Sequence, residues 1–259
     1  MSIIKDTKKY FLTPTGADKK NDTFNSQLNY NVNGVIQDEK YILYNTLSIV
    51  HAEIPYSFYV INLYNNILSL STGDIVIDKG NYNASSLMKA INAKLPTHMV
   101  MTYNSFNGKF TITYNNSFSI KDTTTMSSIL GLERNKEYHS IASKIDFPFP
   151  ANLLGTKNLY IKTNFIISNL NLNTNDYETL ACIPVNVEPF SIILFNNYSN
   201  SSHIIKNKTL DNIEIRIYDD DNNLVNFNNV DWSITIEINS FLSQDFNNST
   251  LSNYLNNSI

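Results

Sequence analysis

Leu210-Asp211-Asn212-Ile213-Glu214-Ile215-Arg216-Ile217-Tyr218 is followed, after an acidic Asn-rich turn, by Val225 through Trp232 and then Ser233-Ile234-Thr235-Ile236-Glu237-Ile238. In both arms apolar and polar residues alternate, the period of a strand with one face buried and one face wet. The linking Asp219-Asp220-Asp221-Asn222-Asn223 reads as a solvated hairpin turn. The chain is therefore expected to end as a β-sandwich. Trp232, the single Trp, shares its phase with Ile234 and Ile236. That phase assigns it to the core rather than to a sugar-stacking platform.

Upstream, Tyr41 through Pro55 is long, β-branched and aromatic-rich, and Phe58-Tyr59-Val60-Ile61-Asn62 follows it, so two strands are expected to meet at Pro55. Between Asp74 and Gly131 the character changes. A strand at Ile75-Val76-Ile77-Asp78 precedes a helix that Asn83 can cap, with Leu87, Met88, Ile91 and Leu95 on one face and Pro96 as its stop. Two further strands, Met99–Tyr103 and Lys109–Tyr114, flank a turn ending in Asn107-Gly108, a hairpin signal. This is a β-α-β-β pattern, closed by Ser127–Leu132. Strands then resume at Leu159–Phe165, Leu180–Val185 and Phe190–Phe195, separated by Asn-rich loops at Asn169 to Asp176 and Asn196 to Ser202.

Composition narrows the function classes. At 259 residues the chain can bury a sizeable core without staples. Only 16% of residues are charged and the formal net charge is -4, with 19 Lys+Arg scattered among 23 Asp+Glu. A phosphate-binding surface needs a concentrated basic face, so nucleic acid is not an expected partner. The single Cys182 sits in the apolar run Leu180-Ala181-Cys182-Ile183-Pro184-Val185 and is expected to be a buried, unpaired thiol, which suits a reducing cytoplasm. The start lacks a signal-peptide pattern, and no apolar run reaches the roughly 20 residues of a membrane-spanning helix.

Two stretches carry a resemblance to a known family. The closing arms, with Asp231-Trp232-Ser233 leading into the last strand, resemble the final strands of capsid jelly rolls in eukaryotic DNA viruses and their satellites. Ile54-Pro55-Tyr56-Ser57-Phe58-Tyr59-Val60-Ile61-Asn62 is similar to the corner after an early strand in the same proteins. The middle pattern also looks like an insertion seen in related capsid proteins. Together they resemble the penton and minor capsid proteins of virophages, polinton-like viruses and large eukaryotic DNA viruses. The resemblance covers residues 40 to 240 as a pattern.

The expected fold is mainly β, a single jelly-roll β-sandwich with an inserted small α+β module. The expected parts are an N-terminal arm at 1–28, a discontinuous jelly roll at 29–70 and 136–243, the module at 71–135 and a C-terminal tail at 244–259. The resemblance implies a capsid protein of the virion, assembled in the host cytoplasm. Its implied partners are itself, as a homopentamer at the five-fold vertex, the major capsid protein, and a host receptor through the module. The alternatives are a minor capsid or cement protein and a carbohydrate- or receptor-binding jelly roll. No enzyme activity or cofactor is expected, because His51, His98, His139 and His203 are far apart in sequence and no phosphate loop or nucleophile elbow occurs. The one metal candidate is Asp219, Asp220 and Asp221, whose oxygens suit Ca²⁺ but lack the spacing of an EF-hand loop.

Overall fold

The β-branched run before Pro55 becomes the longest strand among the described residues, and the sandwich is organised around it. The structure is a computed structural model that describes residues 4–20, 23–32, 42–165, 178–205 and 212–242. The tail at 244–259 and the loop from Asn169 to Asp176 lie outside the described residues. The first strands are β1 (Ile4–Leu12), β2 (Lys19–Lys20), β3 (Gln27–Asn31) and β4 (Ile42–Pro55). The expected N-terminal arm is thus corrected, because β1 pairs antiparallel with the last strand of the chain from Ile4↔Leu242 to Leu12↔Ile234. The expected strand at Phe58–Asn62 is also absent, and that stretch contributes a single bridge, Ile61↔Gly80.

The chain divides into two compact units, one of residues 1–57 with 157–259 and one of Phe58–Thr156. The second contains β5 (Ile67–Leu70), β6 (Gly73–Val76), α1 (Ala84–Asn92), β7 (Val100–Asn104) and β8 (Lys109–Thr113). It continues with β9 (Ser119–Ile120), α2 (Ser127–Leu130), β10 (Tyr138–His139) and β11 (Lys144–Asp146). These strands form two small sheets, ordered β10-β9-β5-β6 and β11-β8-β7. The unit is wider than 71–135, since β5 and β11, expected in the sandwich, pair with β6 and β8 instead. Asn83 caps α1 in a reciprocal capping box with Ser86, and Leu87 and Ile91 are buried in the unit's own core with Phe110, Ile112 and Phe147. At the end of α2, Gly131 has φ +84° and lies against the carbonyl of Phe149.

The first unit closes with β12 (Asn158–Thr163), β13 (Thr179–Pro184), β14 (Ile192–Asn196), β15 (His203–Ile205), β16 (Asn212–Tyr218) and β17 (Ser233–Leu242). One five-stranded sheet runs β1-β17-β4-β14, with β15 also on β4, and the other runs β13-β12-β16-β3-β2. Setting aside the two-residue β2, which pairs alongside β3, and counting β14 with β15 as one interrupted strand on β4 leaves eight. In chain order the first sheet holds the first, eighth, third and sixth, and the second holds the fifth, fourth, seventh and second. This alternation between two sheets is the double Greek key of a jelly roll. The unit at Phe58–Thr156 sits in the connection from the third of these strands to the fourth.

The period-two reading locates the sandwich core. Ile213, Ile215 and Ile217 of β16 and Ile234, Ile236 and Ile238 of β17 are buried, and polar residues alternate with them. Each such side chain contributes about 1.5–3 kcal/mol on full burial. Trp232 is buried as expected, and its indole N–H donates to the Asn25 carbonyl at 2.7 Å. The hairpin expectation fails, because β16 pairs with β12 and β3 while β17 pairs with β1 and β4. The turn at Asp219–Asn223 closes on a bridge from Tyr218 to Leu224, and the chain then crosses to the other sheet before Ser233.

Candidate functional site

The acidic turn is built into the fold. Asp219 Oδ1 accepts from the backbone N–H groups of Asp221 at 2.9 Å and Asn223 at 2.8 Å, and its Oδ2 accepts from Asn223 Nδ2 at 3.2 Å. Burial pushes the Asp219 carboxyl up from its ordinary value, opposed by these bonds. Asp220 reaches 62 and 63 residues back in the chain. Its Oδ2 accepts from the backbone N–H of Lys157 at 2.6 Å and its Oδ1 from Asn158 Nδ2 at 2.9 Å, which fastens the turn to the start of β12. Asp221 is exposed. Among the described residues no three His, Cys, Asp or Glu side chains are gathered to hold a metal ion.

The four histidines are divided between the two units, on separate elements. His51 and His203 lie on β4 and β15, His139 is on β10, and His98 occupies a turn with φ 69°. His51 Nδ1 sits 2.8 Å from Asn196 Oδ1 and its Nε2 is 3.4 Å from Glu53 Oε1. The Asn196 bond and the Glu53 carboxylate raise its affinity for a proton above the ordinary value. His203 is buried, and that burial lowers its pKa against a bond to the Leu180 backbone. Cys182 corrects the expectation of a buried thiol. It is exposed, because the register shift against β12, which skips Leu180, breaks the alternation of β13, so that beyond it Ile183 takes the inward position and Cys182 beside it faces out although Leu180 is buried. Partial burial still raises the thiol pKa, with a bond from Tyr160 opposing it.

The feature that the sequence reading missed is the outer face of the first sheet at β14. Ile193 is fully buried, and its neighbours Ile192 and Leu194 are 58% and 62% exposed. Phe190, just before the strand, is 80% exposed. The register places Ile192 beside Pro55 and Leu194 beside Glu53 on β4. Phe11 of β1, also 80% exposed, occupies the outer face at the opposite edge, in the row Phe11, Thr235, His51 and Asn196. The alternation in Phe190–Phe195 carried the signal, but the phase could not be set because every residue except Ser191 is apolar.

A sheet edge is a liability unless it is blunted by Lys, Pro, a bulge or extreme shortness. Among the described residues the two sheets of the sandwich end on β1 and on β14 with the three-residue β15, and on β2 and β13. β1 contains Lys5, Lys8 and Lys9, β2 is only Lys19–Lys20, and β13 ends in Pro184 and has a register shift against β12. β14 has none of these devices. Its side chains can bury apolar area on another chain, and its free backbone groups can extend a sheet.

No protein-family model matches this sequence, and no curated protein matches it. Among solved structures the chain is similar to the mavirus penton protein, at 14% identity and a TM-score of 0.44, over 93% of this chain and 100% of that one. It is also similar to a chain of the Sputnik virophage structure from cryo-electron microscopy, at 13% identity and a TM-score of 0.43, over 90% of this chain and 97% of that one.

Proposed function

We propose that this chain is a structural subunit of an icosahedral capsid, suited to the five-fold vertex, where copies close into a ring and meet the major capsid protein. The observation that carries the reading is the unprotected apolar strand β14, with Phe190, Ile192 and Leu194 exposed on a jelly roll whose other described edges are blunted. A monomer gains nothing from such a strand. A ring is built from heterologous contacts, in which one surface of a copy meets a different surface of the next. A single jelly roll has two ends to its first sheet and so has the two surfaces that this requires. No catalytic role is proposed, because the histidines lie on separate elements and the acidic turn is occupied with its own backbone.

The test is the mass of the purified full chain in solution, by native mass spectrometry over a range of concentrations, with and without Ca²⁺. A pentamer is the expected result. A trimer would remove the five-fold placement in favour of a minor capsid or cement protein. A monomer whose thermal stability rises with Ca²⁺ would replace the assembly reading with a ligand-binding one at the Asp219–Asp221 turn.

A further inference from the structure

Resting on that reading, we infer that the β14 edge of one copy docks on the β1 edge of the next, so that the first sheet continues from subunit to subunit. The two edges are the opposite ends of one sheet and differ in chemistry. β14 is apolar on its outer face, carries no Lys or Arg anywhere from Pro184 to Ile205, and is flanked by the carboxylates of Glu53 and Glu188. β1 has three Lys against one Asp, with Lys9 on the outer face near Phe11. An edge that resembled its partner would pair with itself into a closed dimer; unlike edges that complement each other link head to tail.

Bringing them together accounts for both sets of exposed side chains. Ile192 and Leu194 would meet Phe11 across the new ladder, the aromatic–aliphatic pairing that stabilises adjacent strands. Glu53, one strand in from β14, would face Lys9, which already lies 3.6 Å from Glu237 on β17 of its own copy. That arrangement puts one Lys between two carboxylates of different subunits. The charges select β1 over a second β14, and the apolar row provides the adhesion.

The experiment uses two full-length variants at exposed positions. Leu194→Lys blocks the β14 edge and Phe11→Lys blocks the β1 edge, like charges that also repel where two blocked edges meet, and circular dichroism confirms that each keeps the β spectrum of the parent. Each alone should weaken association by about a hundredfold, as a charge in an apolar contact does, and run as a monomer in native mass spectrometry. Mixed in equal amounts they should form a particle of two copies, because each retains the edge that the other lacks. If the parent assembles and either variant assembles equally well, or the mixture stays monomeric, the edge-to-edge contact is wrong while self-association stands. A parent that is monomeric at every concentration overturns self-association and this contact together.

Discussion

Gly131 holds φ +84° at the end of α2, and a Cβ there would meet the Phe149 carbonyl oxygen at 2.1 Å, so that backbone and close packing both demand glycine. Gly131→Ala should destabilise the protein by about 3 kcal/mol or more, read as a fall in denaturant midpoint. A variant as stable as the parent would mean that the bend at Phe149 can withdraw. The two strand histidines of the sandwich predict a pH profile with opposite slopes. His203 has its pKa lowered by burial, so its contribution is present above the ordinary value of 6.5 and is lost as pH falls from there toward its folded value. His51 has its pKa raised, so its contribution is present below 6.5 and is lost as pH rises past it. Stability should therefore peak near the ordinary histidine value of about 6.5. Melting temperature against pH should lose its acid-side fall in His203→Gln and its alkaline-side fall in His51→Gln. Parallel profiles for parent and variants would remove both assignments. At this scale the sequence was legible where alternation had a polar reference: Trp232 reads as core because Thr235 and Glu237 fix the phase of its neighbours. Cys182 was not, since Leu180 to Val185 has no polar residue to set the phase. Nor was the work of Asp220, whose partners Lys157 and Asn158 are sequence-distant.

Among the elements, α1 and β1 mark the two extremes of legibility. Asn83, the face of Leu87 and Ile91 and the stop at Pro96 are all local signals, and the helix forms between them. Asn83→Ala removes the side-chain acceptor of the capping box and should cost about 1 kcal/mol, measurable as a shift in denaturant midpoint. An unchanged midpoint would show that the first turn is held by packing alone. β1 has the opposite character, because Lys5, Asp6, Lys8 and Lys9 hide the alternation expected of a strand. An edge strand is wet on one side as well as on one face, so its sequence resembles that of a free arm. Its pairing with β17 is a long-range event that no local pattern announces. Hydrogen exchange separates the two descriptions directly. Peptides covering Ile4–Leu12 should exchange slowly, with protection comparable to that of their partner β17. Exchange as fast as that of an unstructured chain would restore the arm.

Across the whole molecule, the jelly-roll order follows from which strands share a sheet, and here local reading gave a wrong pair with a right class. β16 and β17 each alternate cleanly, but the fourteen-residue stretch between them, Asp219–Trp232, carries the chain from one sheet to the other rather than back along the same one. A turn signal such as Asp219–Asn223 reports that the chain bends, and only the inter-strand ladder reports where it goes. The same global view predicts how assembly responds to salt. With 16% of residues charged and a net charge of -4, long-range repulsion between copies is small. An exposed Lys–Glu pair at a rim contributes about 0–1 kcal/mol, whereas each of Phe190, Ile192 and Leu194 contributes roughly 1.5–3 kcal/mol if fully covered. At about 0.5 M NaCl the screening length falls to about 4 Å, which removes most of the first contribution and leaves the second intact. Assembly should therefore persist in high salt, with a slower association rate because electrostatic steering is lost. Light scattering at low and high salt measures both the size and the rate. A particle that dissociates on raising the salt would mean that Lys9 and Glu53, and not the apolar row, hold the copies together.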